Sequence, residues 1–389
     1  MASLNPELPL VLFLFLNGKF GEDEQLALED LCELHGRSLP WRAICIQDSE
    51  IHRRLELLAP ERVETLKQVP RKNLDWNLLE FLNMEIGRFK VKIVHCCDTD
   101  HLGSILPWML KFSEVPLIVS EGPNVQKRLR HFFQSLFYSR IDALLVPTST
   151  LRKRVAQMRP ILASKIRVVH PGLDFNIFNP DHFDFKILRA KWGIEASNYV
   201  VGMIASREYK KAQAAFIKAA ASFLRNEDLA ARTKFVIVGF EHEGNEELID
   251  LIRQFHLQES IILAPAEESI PKVLGSLDVY VLPSSKAMFG LQAIEALAMG
   301  TPIICAAGPD SMEWTGNSQS GLLMRSGDSF DLQRKLRILL EDPEQLKKMG
   351  LRSVQYAREN FDRGHRTERL MEIYQRTLRR RGSTSAGVG

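Results

Sequence analysis

Cysteine is sparse: five residues in 389 (Cys32, Cys45, Cys96, Cys97, Cys305), odd in number and without CxxC spacing. That indicates neither a disulfide framework nor a zinc site, and suits a reducing, cytoplasmic setting. The chain also lacks an apolar run long enough to span a bilayer. Its longest, "LPLVLFLFL" from Leu8 to Leu16, falls far short of roughly 20 residues. No basic residue precedes it, so it reads as a buried first strand and not as a signal peptide. Neither GxGxxG nor GxxxxGK[ST] occurs, which removes the main support for simple dinucleotide and P-loop readings. An excess of one charge is missing as well: 51 Lys and Arg face 48 Asp and Glu, a net +3. Such a balance is too mild to indicate nucleic acid as a partner.

What is present is a repeated alternation of strand and helix. Apolar runs at "LVLFLFL", "RAICIQ", "VKIVHCC", "PLIVS" and "ALLVPTS" are separated by helical spacing, as in "EQLALEDLCELHG" from Glu24. Continuous apolar strands joined by helices predict a parallel sheet covered on both faces. After "RVVHPGLDFNIFNP" the pattern restarts with "YVVGMIA", "KFVIVG", "SIILAP", "VYVLPSS", "PIICAA" and "GLLM". Helices are expected near Ala212–Leu224 and Asn245–Phe255. The fold class is therefore α/β, with two consecutive domains joined near Gly172–Pro180. In open sheets of this kind ligands sit at the carboxyl ends of the strands, so the default site is a cleft between the two domains.

The segment "AMFGLQAIEALAMGTP", Ala287–Pro302, follows a strand and holds one carboxylate, Glu295, among small apolar residues. A charge in that setting costs free energy unless something pairs with it or binds to it. The helix expected at Leu291–Met299 would leave backbone amides free near Phe289, Gly290 and Leu291, a natural anion site. Glu295, just over a turn further in, is placed to accept two hydroxyl hydrogen bonds from a ribose.

The stretch "LDVYVLPSSKAMFGLQAIEALAMGTPIICAAGPDSMEW...GLLMRSGD" resembles the donor-site signature of the family 4 retaining glycosyltransferases, which have the two-domain GT-B fold. The resemblance extends through "VVHPGLDFNIFNP", "VGMIASREYKKAQAAFIKAAA" and "FVIVGFE", from about Val168 to Phe361. It is weaker over the first half, where "DALLVPTSTLRKRV" and the order of elements are similar. The resemblance implies two Rossmann-like domains facing each other across a cleft. Residues 1–172 would form the acceptor domain and 173–355 the nucleotide-sugar donor domain. A C-terminal helix at 356–381 would pack back toward the first domain, with Tyr356, Phe361, Leu370, Ile373 and Tyr374 as its packing residues, before a disordered tail at 382–389.

By the same resemblance, the second Glu of an E-x7-E motif binds the donor ribose and falls on Glu295. The backbone at Phe289, Gly290 and Leu291 cradles the diphosphate and sugar, and a diphosphate-neutralising Lys falls on Lys211. Lys210 and Lys211 are also readable as solvated lysines, and Glu295 as one half of a helix ion pair. Three positions depart from the pattern. Ala287 replaces the first Glu of the motif, Ser206 the partner Arg, and Ala212 the glycine after the Lys; Arg207, one residue on, can substitute for the Arg. Charge-assisted hydrogen bonds contribute about 1.5 to 3 kcal/mol each. One loss weakens donor or transition-state binding by about 10- to 100-fold.

In the first half, "NGKFGED" follows the first strand. Gly18 or Gly21 either approaches the donor phosphate or belongs to an ordinary loop. Glu121, in "SEGPN" where relatives often have a histidine, either contacts the sugar or acceptor or is a buried structural carboxylate. Asp98, Asp100 and His101 end another strand, but a metal reading of them is poor. From Arg88 to Arg167 there are 14 Lys and Arg against five Asp and Glu. That block includes "NVQKRLRHFFQSLFYSR", in which Lys127, Arg128, Arg130 and Arg140 are interleaved with Phe132, Phe133, Leu136, Phe137 and Tyr138. The helix either lies on an anionic membrane surface or packs its aromatics on the sheet; Arg152, Lys153 and Arg154 add to the same face.

The expectation is a retaining, metal-independent glycosyltransferase without a cofactor, moving a sugar from a nucleoside diphosphate sugar to a glycan or lipid-linked acceptor. It would be cytoplasmic or peripheral at the inner face of the membrane. Lys211, Arg207 and Glu121 are the candidate catalytic groups. The donor would contact Lys211, Phe289, Gly290, Leu291, Glu295 and Gly21, and the acceptor or membrane Lys127, Arg128 and Arg130. A non-catalytic GT-B protein that binds nucleotide or acts as a scaffold is the alternative, because of Ala287 and Ser206. A nucleotide-sugar epimerase is a third reading.

Overall fold

The computed structural model describes residues 9–72, 75–97, 99–111, 114–122, 125, 132–205, 210–225, 227–241, 243–267, 269–283, 290–316 and 318–385. The chain divides into two units: unit 1, Met1–Gly172 together with Arg363–Gly389, and unit 2, Leu173–Asp362.

Unit 1 is built on seven strands: β1 (Val11–Phe15), β2 (Trp41–Ile46), β3 (Val63–Leu66), β4 (Ile93–Cys96), β5 (Leu117–Ser120), β6 (Ala143–Val146) and β7 (Ile166–Val168). They form one parallel sheet in the order β3-β2-β1-β4-β5-β6-β7. Side chains alternate across it. Leu12 and Leu14 enter one apolar core, and Val11, Phe13 and Phe15 the other. Burial on both faces is why these strands read as unbroken apolar runs.

Unit 2 repeats the plan with β8 (Tyr199–Ile204), β9 (Thr233–Val238), β10 (Ile261–Ala264), β11 (Val279–Leu282), β12 (Ile303–Ala306) and β13 (Gly321–Met324). Their order is β10-β9-β8-β11-β12-β13, again all parallel. This is the doubly wound Rossmann arrangement, in which the winding direction reverses between the first and fourth strands. Val279 and Val281 face one core while Tyr280 and Leu282 face the other.

The crossing back to unit 1 differs from the expected boundary. Tyr356 lies within the helix Pro343–Asn360 and, with Phe361, packs in unit 2's own core. The Phe361 carbonyl accepts the Leu173 N–H at 2.7 Å, and Asp362 bridges Leu173, so both ends of unit 2 are tied together there. The return begins with the helix Arg363–Ser385, whose Leu370, Ile373 and Tyr374 are buried against unit 1's sheet. Its backbone runs four residues into the tail expected to be disordered. Gly172 sits so close to Arg363 that a Cβ would lie 2.9 Å from the Arg363 Cα.

Candidate functional site

In unit 2 the winding reverses between β8 and β11. In an open sheet, the carboxyl ends of those two strands frame the crevice in which ligands bind. β8 leads to the helix Lys210–Phe223 and β11 to the helix Leu291–Ala298, so both helices start at this crevice. The second start is specialised. Gly290 caps it in the left-handed region at φ 61°, and a Cβ there would stand 2.5 to 2.7 Å from the Trp314 indole. Only glycine meets both conditions, which explains its use by backbone conformation and by packing. The cap supplies no side-chain hydrogen bond and no acidic residue occupies the first turn at this positive helix end.

Leu291 is buried at the first helical position, while Glu295 is half-buried. Tyr280 lies beneath this helix on β11, fully buried, and its hydroxyl donates to the Gln292 Oε1 at 2.8 Å. Burial, reinforced by the Glu295 carboxylate, pushes the phenol well above its usual range and keeps it a neutral donor. At the other helix start the two lysines separate. Lys210 Nζ is bonded to the Gly244 carbonyl after β9, while Lys211 is exposed with no side-chain partner among the described residues. Lys211 and Gly290 thus begin the two helices that open on one crevice. Phe289, Arg207, Ser206 and Ala287 lie outside the described residues.

Unit 1 presents its own crevice between β1 and β4. In the loop after β1, Gly18 adopts φ 67° and Gly21 caps the helix Glu22–Gly36 with extended backbone. The Gly21 N–H donates to the Glu24 Oε2 at 3.0 Å, and Asn17 Nδ2 donates to the other oxygen of the same carboxylate. The Gly21 amide is therefore already used within the loop. Beside Gly18, a hollow of about 480 Å³ opens at the carboxyl end of β3, lined by Lys67, Val69, Arg71, Asp75 and Trp76, with Trp76 72% exposed.

Glu121 follows β5 and is buried. Arg159 grips both of its oxygens, Nε to Oε2 at 3.0 Å and Nη2 to Oε1 at 2.8 Å, and Thr99 Oγ1 adds a bond at 3.3 Å. Such a fork satisfies both oxygens of a buried carboxylate with directional charge-assisted bonds. Asp100 pairs with Lys72 on the surface; Asp98 lies outside the described residues, as do Lys127, Arg128 and Arg130. The described part of that basic segment, the helix Phe132–Arg140, buries Tyr138 in the sheet-facing core. Among the described residues, no group of three or more His, Cys, Asp or Glu is placed to hold a metal, and no helix is long and apolar enough to cross a membrane.

Three partners in these sites escaped the sequence reading: Arg159 for Glu121, Trp314 beneath Gly290, and Gln292 for Tyr280. Only Gln292 could have been found from local spacing, since it lies one position past the start of a helix that opens beside the strand carrying Tyr280.

The comparisons with known proteins bear on this arrangement. Residues 184–356, which contain both helix starts, match the family model described as Glycosyl transferases group 1. The matched stretch lies within unit 2, Leu173–Asp362. The chain is 27% identical over 307 residues to a D-inositol 3-phosphate glycosyltransferase of Nocardia farcinica, covering 78% of this chain and 65% of that relative. The chain therefore spans just under two thirds of that relative's length. Among solved structures, a glycosyltransferase from Rickettsia africae ESF-5 superposes with a TM-score of 0.81 at 15% identity, covering 96% of this chain and 99% of that one. An Anabaena protein in complex with UDP gives 0.76 at 19% identity, covering 94% and 99%. Its complex with UDP-glucose gives 0.70 at 19% identity, covering 96% and 100%. At such identities these structures establish a shared fold.

Proposed function

We propose that this protein is a retaining, metal-independent glycosyltransferase whose donor, a nucleoside diphosphate sugar, binds at unit 2's crevice. The observation that carries the proposal is the pair of helix starts there, one at Lys211 and one at the left-handed Gly290, within the segment matched by the family model. The diphosphate would lie against the Gly290–Leu291 amides and the Lys211 ammonium, with Glu295 accepting hydroxyl hydrogen bonds from the ribose. As the bond from the sugar's anomeric carbon to the phosphate oxygen breaks, the electron pair leaves with the diphosphate. Fixed positive groups stabilise that departing charge without a metal ion. The acceptor oxygen attaches on the face the diphosphate leaves, and its proton passes to the departing phosphate oxygen. Arg207 adds positive charge beside Lys211 in this reading. Glu121 has both of its oxygens held by Arg159 in unit 1. The hollow at Trp76, with an exposed indole beside two cations, is the proposed place for the glycan or lipid-linked acceptor.

Thermal-shift titration with UDP, GDP, ADP and their sugars tests the donor site, since a ligand at 100 times its Kd adds about 2.7 kcal/mol of stability. Lys211→Ala and Glu295→Ala should each weaken nucleotide binding about 10- to 100-fold and abolish transfer or slow donor hydrolysis. The absence of a shift with every nucleotide would overturn the assignment. Binding without transfer or hydrolysis would leave a nucleotide-binding scaffold instead.

A further inference from the structure

Unit 1 carries a second, unlike feature at the opposite edge of its sheet, where β6 and β7 begin. Asp142 precedes β6, Lys165 precedes β7, and the helix Arg363–Ser385 crosses in front of them. Between these elements lies a cavity of about 120 Å³ whose walls include Lys165, Arg167, Arg376 and Arg380, together with Ile373 and Thr377. A water occupies about 30 Å³, so the space accepts a group the size of phosphate.

Basic side chains outnumber carboxylates four to one in the lining of this cavity. Asp142 is the one carboxylate in its lining, and both of its oxygens are engaged. Oδ2 accepts from Arg140 Nη1 at 2.8 Å and from the Leu117 N–H at 2.9 Å, while Oδ1 accepts from Arg381 Nε at 2.9 Å. Lys165 is held half-buried at the rim by the Ser139 and Ile141 carbonyls, at 2.7 and 2.6 Å. Arg167 is half-buried. Burial first, and then Arg380, Arg376, Arg369 and Arg152, hold its pKa below the ordinary value. Those four come from two helices, and all of them repel it. Arg376 and Arg380 stand one turn apart on one helix, a spacing at which like charges oppose helix formation. Arg369, on the same stripe, is offset in part by Glu372 at 2.9 Å. Arginines from a strand and a helix converge on one small cavity, with Arg167 half-buried and Arg376 and Arg380 at its exposed side. The guanidinium fork matches phosphate oxygens two at a time.

We propose that this cavity is a phosphate-binding site, taking the phosphate monoester or diphosphate group of a ligand separate from the sugar donor. The group belongs either to a soluble phosphorylated compound or to a phospholipid headgroup, and the two sources share one recognition chemistry. The site lies at the amino-terminal edge of the sheet, opposite the strand ends that frame the crevices, and does not depend on the donor assignment.

The test compares three full-length proteins: the wild type, the double variant Arg376→Gln/Arg380→Gln, and Arg379→Gln. All three positions are exposed on one helix, and Arg379 does not line the cavity. Inorganic phosphate at low salt should stabilise the wild type and Arg379→Gln alike. In the double variant the same stabilisation should need at least about tenfold more phosphate, as expected for loss of charge-assisted bonds. A second arm pellets each protein with phosphatidylcholine vesicles containing phosphatidylglycerol. Pelleting that the double variant loses identifies a lipid headgroup; no pelleting, with the phosphate response still dependent on the two arginines, identifies a soluble ligand. An equal phosphate response in all three proteins, or none in any, overturns the proposal.

Discussion

Unit 2 closes its core with residues contiguous in the chain, Leu173–Asp362, whereas unit 1 is complete only when a helix beyond that stretch returns to it. Their interiors differ in the same sense. Among the described residues unit 1 buries eight Asp, Glu, Arg or His side chains, Glu24, Asp30, Arg42, Glu85, His95, His101, Glu121 and Arg140, while unit 2 buries one, Asp331. Several of unit 1's polar groups fasten distant pieces of chain. Arg366 on the returning helix grips Asp30 with both arms at 2.7 and 2.8 Å and donates to the Val169 and His170 carbonyls. His95 on β4 lies between the Tyr374 hydroxyl at 2.8 Å and the Ser120 hydroxyl at 2.9 Å. Hydrophobic burial is indifferent to which apolar partner arrives, but a buried ion pair or histidine tolerates only its own geometry. The comparison teaches that the returning helix is held in place by directional polar contacts as well as apolar ones, while unit 2 relies on close apolar packing around its crevice.

The largest break in this contrast should come from Arg366→Met. It leaves the Asp30 carboxylate buried without its fork, and breaking such pairs costs about 3 to 5 kcal/mol. Calorimetry should show unit 1's transition falling while unit 2's stays; an equal fall in both would remove the distinction. The counterpart in unit 2 is Gly290→Ala. A left-handed alanine costs about 1 to 2 kcal/mol and the contact with Trp314 about 1 to 3 more. The loss should appear in unit 2's transition, together with weaker nucleotide binding, and an unchanged transition would show that the turn yields.

A smaller effect separates the units by pH. Burial, and then Arg366, hold His95 down to about 3 from 6.5. Below about pH 6.5 the unfolded chain binds a proton that the folded unit refuses, so stability falls as pH drops from 6.5 toward 3. The slope approaches about 1.4 kcal/mol per pH unit, and above pH 6.5 this group contributes no dependence. Urea titrations at several pH values should place the slope in unit 1 and find it missing from His95→Gln. The smallest effect is expected at Lys211, where substitution by Ala should change unit 2's stability by no more than about 0.5 kcal/mol while nucleotide affinity drops. A large loss of stability there would make the lysine structural.

Legibility from sequence followed the same division. All six strands of unit 2 stood out as apolar runs, and the helix after Gly290 lies within a residue of its expected bounds. In unit 1, β3 reads "VETL" and is half-buried throughout, while β7 is three residues, "IRV", with a charge in the middle. Neither carries enough apolar surface to signal a strand. The candidate site was visible where its logic is local: Gly290, Leu291 and Glu295 fall on one turn and one helix. It was hidden where the logic is remote, since nothing in "SEGPN" announces Arg159, nor does His95 point to Tyr374. The domain crossing was misplaced for a related reason. Tyr356 and Phe361 are as apolar as the residues of the returning helix, and only tertiary contacts, unit 2's core for the first two and the Asp30–Arg366 fork for the helix, separate them.

That fork has a consequence for how the chain is made. Ribosomes add about 5 to 20 residues per second, so the 190 residues of Leu173–Asp362 take roughly 10 to 40 s to appear. Throughout that interval the first half has the sheet face that Tyr374 and Leu370 will cover still open to water, whereas unit 2 has everything it needs once Asp362 is made. The order of completion is thus the reverse of the order of synthesis. The nascent first half is the stretch on which holding chaperones would be expected to act.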